Sequence, residues 1–129
     1  MNREIKFRGY DKFDKRWVYG YGLHQSIFID GSSNAYVTAG IREVFIVDKE
    51  SAGQYTSIKD YEGKEIYEGD IVETTRALNH IVGVVTMIKG CWYIQDGKDS
   101  YYRLIPRFGT AENKVIGNIY ENKNLLEED

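Results

Sequence analysis

The sequence predicts a mainly β protein on three observations. Tyrosine, which favours half-buried strand positions, accounts for 11 of the 129 residues. Short apolar runs alternate with turn signals at roughly the 8–12-residue spacing of sandwiches and barrels. No segment sustains the apolar period of a long helix, and no internal repeat is present. The expected architecture is a small SH3-like barrel in the C-terminal half, with N-terminal β-strands packed beside it.

Residues 54–72 are the main evidence for this architecture, because they contain two turn signals a few residues apart. Asp60-Tyr61-Glu62-Gly63 suits a turn in which Gly63 takes the positive φ that a β-carbon resists. Residues 67–70 repeat the arrangement around Gly69, immediately before the strand that starts at residue 71. Tight bends at the two glycines would let adjacent extended segments fold back on one another.

The N-terminal half is predicted to begin with a β-hairpin, in which residues 5–8 pair with residues 17–21 across a polar turn. Gly20 and Gly22 predict a bend or bulge in the second strand, since glycine weakens a regular strand interior. Further strands are predicted at residues 26–30, 36–38 and 44–47, with a loop at residues 31–34.

The C-terminal half continues the pattern of short strands and turns. Gly83 predicts a bend in a long apolar run, Asp96-Gly97 is a strong hairpin cue, and Pro106 predicts a strand end because it lacks a donor. Residues 122–129 are an acidic tail, expected to form a helical turn or to fray. Strands are predicted at residues 70–75, 81–88, 92–94, 101–105 and 115–120, with a link at residues 76–80.

Length and charge set outer limits on function. A chain of 129 residues fits one domain, or two very small lobes sharing a core. The net charge of −3 argues against a dedicated nucleic-acid-binding protein, although a local basic face remains compatible with it. Cys91 is the single cysteine, so no internal disulfide forms. The absence of a secretion signal and of a membrane-spanning apolar run predicts a cytoplasmic protein.

Four blocks of the sequence resemble the YopX-like family, whose members are small proteins encoded by bacteriophages and by prophages in bacterial genomes. The blocks occur in the family's order and reach both ends of the chain. Three residues depart from the family pattern: Gly9-Tyr10 stands where Ala-Trp is frequent, and Ser57 stands where glycine is common. The blocks are residues 4–8 (EIKFR), 54–56 (QYT), 60–72 (DYEGKEIYEGDIV) and 115–122 (VIGNIYEN).

The resemblance implies a largely β fold with a compact barrel-like C-terminal half, and a phage or prophage origin. It implies no reaction and no cofactor. The chain is expected to be a single domain over residues 1–129. Within it, residues 1–50 form an N-terminal β region with a variable insert at about 24–47, residues 54–121 form the barrel-like region, and residues 122–129 form the tail.

The residues offer little that indicates catalysis. An acidic cluster in the central stretch could bind a hard cation or share acid–base work, but a solvated turn in which Asp70 bonds local backbone amides is the preferred interpretation. His24 and His80 are far apart in sequence, and no nucleophile elbow or phosphate-binding loop is present. No catalytic, cofactor-binding or metal-binding residue is therefore assigned. The acidic cluster consists of Glu62, Glu65, Glu68 and Asp70.

Two mixtures of basic and aromatic residues are the best remaining candidates for an interaction surface. Three interpretations stay open: core rings with solvated cations on the opposite strand face, a protein interface, or a groove that stacks single-stranded nucleic acid. The N-terminal group is Lys12, Lys15, Arg16, Trp17 and Tyr19; the C-terminal group is Tyr101, Tyr102, Arg103, Arg107 and Phe108.

The sequence as a whole predicts a non-enzymatic phage or prophage accessory protein of the host cytoplasm. It would act through contacts with host or phage proteins and through self-association, because exposed strand edges and many tyrosines suit an oligomer. A nucleic-acid-binding module that uses the basic–aromatic face is the alternative. No cofactor and no membrane partner are expected.

Overall fold

The computed structural model describes residues 4–76, 79–106 and 112–126. The chain divides into two compact units, Met1–Tyr55 and Thr56–Asp129, and the boundary lies inside one strand. The described residues form short β-strands with two single-turn 3-10 helices, so the mainly β prediction is confirmed. The single-domain interpretation of residues 1–129 stays a prediction.

The first unit contains a β-hairpin and a three-stranded antiparallel sheet. Strand β1 (Phe7–Asp11) pairs with β2 (Arg16–Gly20), which confirms the predicted hairpin, although the strands predicted at residues 5–8 and 17–21 were misplaced by one to three residues. The sheet has the order β3-β4-β5, with β3 at Gly22–Ile27, β4 at Ser33–Gly40 and β5 at Glu43–Val47. A 3-10 helix at Lys49–Ser51 follows, and the first residues of β6 (Gly53–Lys59) pair with β1.

A small apolar core joins the hairpin to the sheet of this unit. Val18 on β2 is buried with Ala35, Val37 and Val47 on β4 and β5. Gly9 permits the close approach, since a β-carbon at this position would lie 2.6 Å from the Val47 side chain. The chain bends at Tyr21 between β2 and β3, in agreement with the bend predicted at Gly20 and Gly22.

The second unit is built on a five-stranded antiparallel sheet of order β11-β10-β9-β8-β12. The SH3-like barrel of the C-terminal half stays a prediction. Strands β6 and β7 pair with each other in a separate sheet. The strands are β7 at Glu65–Tyr67, β8 at Asp70–Arg76, β9 at Asn79–Ile88, β10 at Cys91–Asp96, β11 at Ser100–Arg103 and β12 at Glu112–Asn118, followed by a 3-10 helix at Lys123–Leu126.

The core of the second unit lies on one face of this sheet. Ile66, Val72, Ile81, Val85 and Ile94 are buried together. Gly83 of β9 also faces β10, and a β-carbon there would lie 2.4 Å from the Gln95 carbonyl oxygen. A residue with a β-carbon at this position would therefore clash with the backbone of β10.

The two predicted glycine turns are present. Gly63 has a φ of +86° and Gly69 a φ of +90°, as the turn signals indicated. The Gly69 N–H donates to the Val85 carbonyl oxygen at 2.9 Å, and the Ile119 N–H donates to the Gly69 carbonyl oxygen at 2.9 Å. The second turn therefore links β9 to the segment after β12.

The Asp60 carboxylate holds the first turn, a role that the sequence prediction did not assign. Its Oδ1 accepts hydrogen bonds from the backbone N–H groups of Glu62 and Lys64, both at 2.9 Å. Its Oδ2 accepts from the N–H of Val115 on β12 at 3.1 Å, next to a shift in the β8–β12 register. Only 7% of Asp60 is exposed, so this carboxylate replaces its lost hydration with three backbone donors.

Several predicted boundaries were wrong. The strand predicted at residues 26–30 lies earlier, at Gly22–Ile27, because Phe28 begins a turn in which its N–H donates to the Ser32 carbonyl oxygen. The loop predicted at residues 31–34 is shorter, since Ser33 and Asn34 already belong to β4. Strand β11 ends at Arg103 rather than at residue 105, and β9 begins at Asn79 within the predicted link.

Among residues 4–76, 79–106 and 112–126, no helix has the length and apolar character required to cross a bilayer.

Replacing Asp60 with alanine should destabilise the protein by about 2–4 kcal/mol, because three backbone donors lose a charged acceptor. The measurement is chemical denaturation monitored by fluorescence. Glu62→Ala in the same turn is the matched control and should change stability by less than about 0.5 kcal/mol. Equal stabilities of the two variants would show that the carboxylate does not hold the turn.

Replacing Ser57 with glycine should stabilise the protein by about 0.5–1 kcal/mol. Ser57 has a φ of +70°, a conformation that costs a residue with a β-carbon roughly 1–2 kcal/mol and glycine little. Part of this gain is offset because glycine has more freedom in the unfolded chain. Ser57→Ala, which keeps the β-carbon, should give no gain, and a higher melting temperature for Ala than for Gly would contradict the argument.

Candidate interaction surface

The N-terminal group lies on the hairpin of the first unit. Asp11 closes the turn, because its Oδ1 accepts from the N–H groups of Phe13 at 2.9 Å and Asp14 at 3.2 Å. Lys15 ends the turn with a φ of +54° and an exposed side chain. Strand β2 then alternates, with Val18 directed into the core and Trp17 and Tyr19 on the opposite face.

Cations and rings of this hairpin contact one another across strands. The Arg8 guanidinium lies 4.7 Å from the centre of the Trp17 ring, and the Tyr10 ring meets Trp17 edge-on at 5.5 Å. The register explains the cluster, since Tyr10 stands opposite Trp17 and Arg8 opposite Tyr19. Trp17 is therefore half-buried beneath its own neighbours, whereas Tyr19 is 49% exposed.

Arg16 lies on the other face of β2 and contacts the three-stranded sheet. Its guanidinium is 5.5 Å from the centre of the Phe45 ring on β5. It also forms a long ion pair with Asp14 at 3.8 Å, in which both side chains are largely exposed. Arg16 thus covers the rim of the first unit's core and still presents its charge to solvent.

The C-terminal group lies on β11, an edge strand of the second unit. Tyr102 is opposite Ile94 and packs against the core. Tyr101 and Arg103 point to the other face and are exposed, and the Tyr101 hydroxyl donates to the Lys98 carbonyl oxygen at 2.9 Å. Arg107 and Phe108 lie outside the described residues.

The two groups thus combine core and surface residues. Lys15, Tyr19, Tyr101 and Arg103 present exposed side chains, whereas Tyr102 belongs to the core and Trp17 is partly covered. Sequence reasoning missed Arg8 and Tyr10, which complete the ring cluster on the hairpin. Once the register of the hairpin is known, the side-chain alternation along residues 7–11 and 16–20 places Arg8 and Tyr10 on the same face as Trp17.

Two members of the acidic cluster, Asp70 and Glu65, accept hydrogen bonds within the central stretch. Asp70 Oδ2 accepts from the Tyr67 N–H at 2.7 Å, which confirms the predicted bond to a backbone amide. Asp70 is buried, however, so the prediction of a solvated turn was wrong for this residue. Glu65 accepts from the Tyr67 hydroxyl at 2.9 Å. Within the described residues, no three carboxylate, histidine or cysteine side chains are grouped as metal ligands would be.

The histidines occupy different units and different surroundings. His24 stacks on the Tyr36 ring of the neighbouring strand, with 4.9 Å between ring centres. His80 Nε2 lies 3.4 Å from a Glu73 carboxylate oxygen, and both side chains are largely exposed. The pKa of Asp30 is lowered by hydrogen bonds from the side chain and backbone of Ser32, in an exposed turn.

The strongest surface feature was not found from the sequence. Large apolar side chains are exposed along β3 and the turn that follows it: Leu23, Ile27, Phe28 and Ile29. Val44 and Ile46 on β5 are exposed as well. Val44 and Ile46 stand beside Thr38 and Tyr36, on the face of the sheet opposite Leu23 and Ile27, so the apolar residues of β3 and its turn form a separate patch. Exposed apolar residues grouped along one strand and its turn are typical of an interaction site. Its sequence signal is the apolar run at residues 27–29, which was interpreted as the interior of a strand.

The second unit also contains an open groove of about 560 Å³. Outward-facing Val82, Val84 and Thr86 of β9 form its floor, and Ile119 and Leu125 form one wall. The lining is mostly apolar, with Asp96 at the rim. This lining is better suited to packing against apolar groups of a ligand than to acid–base chemistry.

Comparison with known proteins identifies the family. The family model described as YopX protein matches residues 6–127. The chain belongs to this family. The resemblance of the four sequence blocks to this family is therefore confirmed. The matched range includes both basic–aromatic groups.

A solved structure has a fold similar to that of this chain. The crystal structure of protein EF1440 from Enterococcus faecalis is similar to this chain with a TM-score of 0.51 and 25% sequence identity. The similarity covers 98% of this chain and 100% of that chain. No curated protein matches the sequence.

The contact between Arg8 and Trp17 should be measurable as a coupling energy. We expect a double-mutant cycle of Arg8→Met and Trp17→Leu to give about 1 kcal/mol, because Arg8 is buried against the ring. Denaturation of the four proteins supplies the energies. The control cycle pairs Arg8→Met with Phe13→Leu in the exposed turn and should give a coupling near zero. A zero coupling in both cycles would contradict the proposed contact.

Proposed function

We propose that this chain is a phage- or prophage-encoded accessory protein that acts without catalysis in the cytoplasm of a bacterial host. It works through contacts with proteins, including self-association. The observation that carries the proposal is the set of exposed apolar side chains on β3 and the turn after it, where Ile27 is 74% exposed and Phe28 48% exposed. Leaving such groups in water is unfavourable, and protein contact removes them from it.

The use of the buried carboxylates agrees with this proposal. Asp60 and Asp70 are the groups most deeply placed among the acidic residues of the central stretch, and both accept hydrogen bonds from backbone amides. Such bonds fix turns and engage the carboxylate oxygens that acid–base chemistry would use. The YopX family assignment supports a phage or prophage origin through the resemblance of the sequence blocks.

Light scattering at tens of micromolar, together with pull-downs from host lysate, tests this function. We expect the protein to form oligomers or to recover a protein partner. Ile27→Ser should weaken association about tenfold, which corresponds to the ~1.4 kcal/mol that partial burial of one aliphatic side chain contributes. Phe13→Ser is the matched control, because Phe13 is equally apolar and exposed but lies in the hairpin turn. A strict monomer that recovers no partner would remove the support for the proposal.

A nucleic-acid-binding module is the second candidate, favoured by the exposed pair Tyr101 and Arg103 on one face of β11. A ring for base stacking beside a cation is the usual arrangement for single-stranded ligands. Retention on single-stranded DNA or RNA should then weaken steeply with salt and fall in Arg103→Ala and Lys15→Ala. A protein that is not retained even at low salt would exclude this candidate.

A further inference from the structure

Strand β3 differs from every other edge strand that the described residues form, because it carries no Lys, Arg, Asp or Glu side chain. Natural sheets protect their edges from pairing with another chain by placing charges, prolines or bulges there. Strand β3 also lacks proline, and its register with β4 is uninterrupted from Gly22 to Ile27. The other edges are charged: Arg16 on β2, Glu43 on β5, Glu65 on β7, Arg103 on β11, and Glu112 and Lys114 on β12.

The backbone of β3 offers a regular set of outward donors and acceptors. The Phe28 N–H donates to the Ser32 carbonyl oxygen, which makes residues 28 and 32 a hydrogen-bonded pair of the β3–β4 ladder. Hydrogen-bonded and non-bonded pairs alternate in an antiparallel ladder. The N–H and C=O groups of Leu23, Gln25 and Ile27 therefore point away from β4, along the open edge of the sheet.

The side chains of the same three residues lie on one face of the sheet. Leu23 stands beside Val37 and Gln25 beside Ala35, two residues of the first unit's core. Leu23 is 37% exposed and Ile27 74% exposed, so the apolar face of the sheet continues to the edge without cover. A strand added at this edge would extend that face and bury both side chains.

We propose that β3 pairs antiparallel with β3 of a second copy of this chain, around a two-fold axis at Gln25. This inference rests on the proposed function and specifies the site and partner of self-association. In this register Gln25 lies opposite its own symmetry copy, and Leu23 lies opposite Ile27. All three outward residues of each strand then form hydrogen-bonded pairs, and the four aliphatic side chains meet on one face.

A second copy fits this edge better than an unrelated strand. An isologous interface needs a surface that is complementary to itself, and the pairing of Leu23 with Ile27 satisfies this twice around the axis. Because each chain has a net charge of −3, two copies repel one another. The electrostatic cost of association is lowest at a surface without charged side chains, such as β3. Registers centred on Leu23 or Ile27 would pair fewer of the outward residues.

The first test measures the dimer by light scattering and sedimentation over a concentration series. The wild-type protein should show twice the 14.9 kDa mass of the chain. Gln25→Lys places two like charges at the axis and should raise the dissociation constant at least tenfold, with an unchanged circular dichroism spectrum. Ser100→Lys, which adds the same charge to the edge strand β11, should leave the dimer intact.

The second test does not depend on the lysine variant. Gln25→Cys in a Cys91→Ser background should form a cross-linked dimer on mild oxidation, because the Cα atoms of a hydrogen-bonded pair are about 5.5 Å apart and a disulfide spans about 4.4–6.8 Å. Ser100→Cys in the same background should not cross-link. Failure of Gln25→Cys to cross-link would overturn the proposed register.

The outcomes separate this inference from the proposed function. A dimer that survives Gln25→Lys would overturn the β3 interface while leaving self-association in place. A wild-type monomer that still recovers a host protein would overturn the dimer and leave the proposed function standing. Loss of the dimer in Gln25→Lys, with cross-linking at position 25, is the result that the β3 pairing predicts.

Discussion

The carboxylate of Asp60 is the interaction on which the second unit depends. It binds the backbone of its own turn through Glu62 and Lys64, and it binds β12 through Val115. A neighbouring bond from the Tyr61 N–H to the Asn113 carbonyl oxygen, at 2.9 Å, adds to the same junction. Because the carboxylate is almost fully buried, each of these donors compensates for lost hydration, and removal of the acceptor would leave backbone groups unsatisfied.

Buried carboxylates accept backbone hydrogen bonds in both units: Asp11 does so in the first, and Asp60 and Asp70 do so in the second. In the second unit the buried carboxylates and threonines serve the backbone, as Thr56 does when its hydroxyl donates to the Ile66 carbonyl oxygen at 2.8 Å. The first unit differs in its surface, where aliphatic side chains of β3 are uncovered. The uncovered aliphatic side chains are the basis of the proposed role in binding other chains.

Local features of the fold were predictable from the sequence, and long-range ones were not. The turns at Gly63 and Gly69 and the Asp96-Gly97 hairpin follow from residues within a few positions of one another, so the sequence contains their cause. The bond from Asp60 to Val115 joins residues 55 positions apart, and nothing in either segment specifies it. The apolar residues 27–29 were placed inside a strand because periodicity shows apolar character but not whether another element covers it. The contact between Arg8 and Trp17 could not be predicted either, because it depends on the register of the hairpin.

Hydrogen exchange at single backbone amides tests the role of Asp60 most directly. The account predicts that the Glu62, Lys64 and Val115 amides are protected in the wild-type protein. In Asp60→Ala all three should lose protection together, while amides of β3–β5 keep theirs. Contradiction would come from a Val115 amide that remains as protected in Asp60→Ala as in the wild type, because β12 would then be held without this carboxylate.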